Sequence, residues 1–362
     1  MNRFFTLLLA VSCLTAVGQV TYPYNPDGNA DALIGVTDLQ DMLSVYGGAF
    51  SPSEIQIDGV GLGEVLTQLI TTQAELLTTQ TELQQTIAEQ QAYIAQLQQH
   101  VSVSDETVLI SGANLQVVSG EGSTNALVNG TGNIIIGYDE NTSDDKSGSH
   151  NLIVGNEHTY SSFGGIVAGN DNSITGAYSS VSGGWNNTAS GENSSILGGE
   201  GNTASGNNSI AIGFSSNASN TDSIAMGLEA NSSGQSSTAI GRGAKATANY
   251  GTSFGALANA TALQSTAVGF LSNASKLESS AFGSRAKASG DQSTAVGVNT
   301  IASGAQSSAF GKGATASGKE STAVGYEAVA SAEDSSAFGK GSTASGKEST
   351  AVGYEAVASA ED

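Results

Sequence analysis

From Gly199 to Gly353 a glycine returns every fourteenth residue, as at Gly213, Gly227, Gly241, Gly255 and Gly269. A period this short leaves few architectures open. Fourteen residues hold two short strands and two turns, and such a unit cannot bury a face alone, so it must stack on copies of itself. In each unit a strand such as Ser237-Thr-Ala-Ile-Gly241 precedes the glycine. A second alternating stretch follows, as in Ala244-Lys-Ala-Thr-Ala248 or Ala286-Lys-Ala-Ser-Gly290. The reading is one coil of a β-solenoid per unit. The glycine marks a turn or a backbone approach too close for a side chain. Less regular coils lead in, at Asn133-Ile-Ile-Ile-Gly137, Asn151-Leu-Ile-Val-Gly155 and Gly165-Ile-Val-Ala-Gly169, and the series continues through Gly184. Sixteen anchor glycines from Gly137 to Gly353, at roughly 4.8 Å a layer, make a column about 75 Å tall.

A large apolar residue precedes each anchor, in the order Ile240, Phe254, Val268, Phe282, Val296, Phe310, so larger and smaller layers alternate. Residues 335–362 repeat 307–334 with one change, Ala314 becoming Ser342, the mark of a duplicated two-coil unit. One buried Phe or Val contributes ~1.5–3 kcal/mol, far less than ordering fourteen residues costs. A single thin roll therefore needs a second buried face, and three rolls packed around an axis would supply it.

Composition fits a stacked repeat better than an ordinary domain: 47 glycines, one tryptophan and 12% charged residues. The net charge of −22, without a Lys/Arg stripe, excludes nucleic acid as a partner and suits a soluble outer surface. Asn2 and Arg3 precede an apolar run from Phe4 to Val17, and Ala16-Val17-Gly18 fits a cleavage site before Gln19. Residues 1–18 are read as an export signal. The lone cysteine, Cys13, would leave with it, so the exported chain has no thiol for disulfides or zinc.

Within 19–50 a loop carries oxygen side chains at Asp27, Asn29, Asp31 and Asp38, positions 1, 3, 5 and 12 of a calcium loop. Leu33 falls at position 7, where a backbone carbonyl ligates, and Ile34 at the apolar position 8. The segment resembles one half of a dockerin, with Ala32 in place of the usual glycine at position 6 and no second loop. Calcium is the one cofactor expected. Residues 51–61 read as a linker.

Residues 62–101 carry a heptad pattern. One seam position holds Leu66, Gln73, Gln80, Ile87, Ile94 and Val101; the other holds Leu62, Leu69, Leu76, Leu83, Gln90 and Leu97. This reads as a coiled-coil stalk, and the seam alone would allow two strands.

The motifs Ser209-Ile-Ala-Ile-Gly213, Ser237-Thr-Ala-Ile-Gly241 and Ser265-Thr-Ala-Val-Gly269, each followed by an Ala-x-Ala-like stretch, resemble the head repeats of YadA-type trimeric autotransporter adhesins. The resemblance covers 107–362. It implies a mainly β protein: a left-handed parallel β-roll of 14-residue coils, homotrimeric, preceded by the coiled-coil helix. It also implies export to the cell surface or outer membrane and adhesion to cells, matrix or other surfaces. Those adhesins place head before stalk; here the stalk comes first. The chain stops at Asp362 at the end of a unit without a capping segment, so further C-terminal sequence is expected, holding an anchor, a sorting signal or a self-cleaving chaperone domain.

No pattern reads as an active site. His100, His150 and His158 are expected on a solvated face or in turns, and Gly251-Thr-Ser-Phe-Gly255 matches a nucleophile elbow only by falling in repeat register. The rival to adhesion is an ice- or crystal-binding solenoid, since Thr238, Thr266, Thr294, Thr322 and Thr350 align, with serine in alternate coils. An acyltransferase solenoid would need six-residue repeats. For the N-terminal loop, calorimetric titration of the exported protein with Ca2+ should show one site, absent in Asp27→Ala and Asp38→Ala.

Overall fold

The computed structural model describes residues 59–359 and, before them, residues 20–21, 36 and 56–57. The expected signal segment and the loop residues Asp27, Asn29, Asp31, Leu33 and Asp38 lie outside the described residues. Two compact units follow one another, Met1–Leu115 and Gln116–Asp362.

In the first unit, β1 (Val20–Thr21), β2 (Gln56–Ile57) and β3 (Val60–Gly61) form a small antiparallel sheet. Gly59, at φ +80°, turns the chain between the last two strands, inside the stretch read as a linker. The helix α1 then runs Leu62–Gln98, 37 residues with none buried. Thr71 and Thr78 donate their hydroxyls to the carbonyls of Thr67 and Ala74, four residues back, at 2.9 and 3.0 Å. The heptad reading extends to Val101, but the helix stops three residues earlier. Val101–Ser104 is instead β4, paired antiparallel with β5 (Thr107–Ile110). Alternating Val and Ser favour a strand there, and Asp105 takes the left-handed conformation at the turn, φ 49°. Residues 107–110 thus belong to this hairpin, and the first strand of the roll is β6 (Ile134–Ile136).

The second unit is a parallel β-solenoid. Each coil gives one strand to a sheet of 16 and one to a sheet of 15, and each strand pairs with its equivalent one coil on. Register follows the repeat, with Gly213 opposite Gly227 and Ala239 opposite Ser253. Two coils have 15 residues, from Gly169 to Gly184 and from Gly184 to Gly199. The extra residue of the later one is absorbed by a bulge between Ile196 and Gly199.

Alanine fills the interior. In the regular coils the residue two before the anchor, as Ala267, Ala281 and Ala295, points inward, and so does the second residue of each short strand, as Ala274, Ala288 and Ala302. The first coils are wider and bury Ile153, Tyr160, Val167, Ile174, Val181 and Ile196. In most regular coils the residue four before the anchor is a buried serine. Several of these turn their hydroxyls onto the carbonyl three residues back, Ser293 to Gly290 at 2.6 Å and Ser321 to Gly318 at 2.7 Å, so that a buried hydroxyl and a turn carbonyl satisfy each other.

The anchor glycines are steric necessities. Gly283 sits at φ +129°, and a Cβ there would lie 2.3 Å from the carbonyl oxygen of Gly297 in the next coil. Gly283→Ala should therefore lower stability by more than the ~1–3 kcal/mol of backbone strain alone, read from thermal unfolding. Ser284→Ala, one residue on and half-buried, serves as the near-neutral control.

Candidate functional site

The large residue before each glycine points out of the coil, because strand side chains alternate and the alanine beside it points in. The structure gathers them into one column on the outer face of the 16-strand sheet. Parallel register places Ile240, Phe254, Val268, Phe282, Val296 and Phe310 in succession along it. Phe254 is 53% exposed and Phe282 39%, while the smaller Val268 and Val296 are half-buried between them. Beside this column runs a second outward one, Thr238, Thr252, Thr266, Ser280 and Thr294. The aligned threonines noted in the sequence thus share a face with the phenylalanines.

An apolar stripe repeated along so many layers is larger than a soluble monomer ordinarily leaves in water. The helix shows the same feature, with its seam residues Leu69 and Leu97 more than 60% exposed. Both surfaces lack a partner within the described chain.

The histidines are structural. His158 is fully buried; one ring nitrogen accepts the backbone N–H of Asn172 at 3.2 Å and the other lies 3.1 Å from the Val154 carbonyl. It heads an internal polar column in which the Asn187 and Asn202 amides each bond the asparagine before them, at 3.0 and 2.9 Å. Ser216 ends the column on Asn202 at 2.6 Å. Sequence reading missed this column, although each member stands three residues after an anchor glycine. His150 accepts the Ser119 backbone N–H at 3.0 Å, and His100 lies in the turn after α1, 3.1 Å from the Ser111 carbonyl. Ser253, the centre of the elbow-like motif, is buried and donates to Ala258 at 2.7 Å. Among the described residues no three His, Cys, Asp or Glu side chains converge as metal ligands, and no helix is long and apolar enough to cross a membrane.

One ionic cluster ties the first coils. Lys146 Nζ lies 2.9 Å from Asp139 Oδ1, and Tyr160 donates to Asp139 Oδ2 at 3.0 Å. Burial, and then the adjacent Asp139, holds the Tyr160 hydroxyl well above its ordinary titration range.

The sequence comparison identifies the repeat of this parallel solenoid. The YadA head domain repeat (2 copies) matches residues 204–230, 232–258, 250–272, 260–286, 274–300, 288–314, 302–328, 316–342 and 344–362. Residues 204–362 are thus YadA head domain repeats, as the glycine-anchored motifs imply. No curated protein matches the chain.

The Tyr160 cluster carries a pH dependence. The unfolded tyrosine ionises near its ordinary pKa of about 10, whereas the folded one stays protonated to higher pH. Its stabilising contribution is complete below about pH 10 and declines as pH rises beyond it. Hydrogen exchange of the first coils should accelerate above that pH, and Tyr160→Phe should remove this component.

Proposed function

We propose that the chain is an exported, homotrimeric, non-catalytic surface adhesin. In this reading the outer face of the 16-strand sheet packs against two other copies around a common axis, and α1 forms a coiled coil with its counterparts. The carrying observation is the unbroken Phe/Val column on a segment that matches YadA head repeats. Burying that column supplies each coil with the second apolar face that its alanine interior lacks. Trimerisation also triples every ligand contact on the opposite faces and turn edges, so weak contacts to cells, matrix or mineral add through avidity. The ligand is a surface rather than a small molecule, consistent with a site repeated at every layer.

Sedimentation equilibrium of the exported protein is expected to return three chains. Phe282→Ser combined with Phe310→Ser should shift it towards monomer, and beads coated with the variant should detach from matrix-coated glass at lower shear than wild type. A folded wild-type monomer defeats the proposal.

A second reading, an ice- or crystal-binding solenoid, is favoured by the threonine column. It requires a monomer, or an assembly that leaves this face open, because the threonines stand beside the phenylalanines. Thermal hysteresis of the purified protein decides for it; trimeric protein without hysteresis decides against it.

A further inference from the structure

One turn edge of the roll is made by the two residues that follow each anchor glycine. Strand register sets Asn156, Asn170, Trp185, Glu200, Phe214 and Leu228 one above another on it in successive coils. Trp185, the chain's single tryptophan, is 49% exposed and Phe214 46%, and Leu228 beyond them is exposed too. Farther along the column the same position carries Phe270, Tyr326 and Tyr354. Each of those rings has one of the chain's own cations over it. Arg285 lies 5.7 Å from Phe270, Lys312 5.6 Å from Tyr326 and Lys340 5.3 Å from Tyr354. Among the described residues no cation stands over Trp185 or Phe214.

The charge around these two bare rings has one sign. Residues 147–241 hold six acids, Glu157, Asp171, Glu192, Glu200, Asp222 and Glu229, and no lysine or arginine, formally −6. Four of the six, Glu157, Asp171, Glu200 and Glu229, stand on the same edge as the rings. None of the four is in an ion pair among the described residues. A cation is attracted to an aromatic face, to indole most strongly, and carboxylates beside the ring add charge-assisted hydrogen bonds. The later coils supply such a cation from within the chain. The early coils present the ring and the counter-charges without it. A neutral glycan also stacks on indole, but it has no charge to match four carboxylates.

We propose that the edge from Asn156 to Glu229 docks a basic segment of another protein. A lysine or arginine of that segment sits on Trp185, and its neighbouring cations meet Asp171 and Glu200, one coil to either side. This inference rests on the adhesin reading, in which the turn edges face outward, and names the chemistry of the surface that is held.

Because Trp185 is the only tryptophan, its emission reports the site directly. Titrating the exported full chain with a hexa-arginine peptide at about 0.15 M salt should change that emission saturably. Followed by anisotropy of the labelled peptide, Asp171→Asn with Glu200→Gln should weaken binding about fivefold, and Trp185→Leu about twofold to fivefold. Glu192→Gln with Asp222→Asn removes equal charge from the opposite edge of the same coils and should leave binding unchanged. Equal weakening by the two pairs would overturn the proposal, since the attraction would then be diffuse. An emission change with cellohexaose and none with the peptide would also overturn it, assigning the edge to a glycan. Sedimentation of the same samples separates the two readings. A trimer whose tryptophan ignores the peptide refutes the docking site and leaves the assembly standing; a monomer whose tryptophan responds keeps the site and removes the trimer.

Discussion

The backbone-to-backbone approach at the anchor glycines governs the rest of the roll. A Cβ at Gly283 would stand 2.3 Å from the carbonyl of the next coil, and at Gly325 the distance is also 2.3 Å. Layers this close cannot vary in length at that corner, so the fourteen-residue period is enforced sterically rather than by side-chain packing. Where the chain does insert a residue, before Gly199, it bulges the strand and regains register at the glycine. The corner is the fixed point, and the strands on either side adapt to it.

Close layers and a narrow coil then dictate alanine inside. An interior two side chains deep, with Ala281 and Ala288 from facing strands, removes little apolar area from water per residue. The backbone ladders compensate in part, since backbone groups throughout the coil bond those of adjacent coils. The larger side chains have no room within and are displaced to the outer face. One geometric limit therefore accounts both for the poverty of the core and for the richness of the surface column. A chain built this way places its larger apolar side chains on its outer face.

Much of this was legible in the sequence because the repeat is exact. The glycine spacing gave coil length, strand positions and parallel stacking without any knowledge of propensity. Direction was harder. Nothing in Thr-Ala-Val-Gly states that alanine rather than valine faces inward; that follows from the width of the coil, which the sequence does not display. The left-handed turn residues were illegible too. Leu271, Glu278, Arg285 and Gln292 all take φ near +55°, although none is a residue type that favours it, so the stacked layers, not local preference, hold them there. The buried column from His158 to Ser216 was hidden because polar residues in an irregular stretch read as turns. The boundary of α1 failed for a local reason, since Val101 satisfies the heptad and the hairpin equally, and hydrogen bonding to Thr107–Ile110 decides for the strand.

Repetition leaves one problem that the regular coils cannot solve. Identical layers would let neighbouring copies slip by one coil with little loss of contact. The alternation of Phe and Val doubles the step needed, because a one-coil slip sets large residues against large at the wrong height. A two-coil slip would still preserve it. The first coils remove that freedom. They alone have 15-residue lengths, a wide Ile/Val interior and the asparagine column. In the trimer proposed above, these irregular coils would be the layers whose outline differs from all others, and the regular ones would extend the contact area from them.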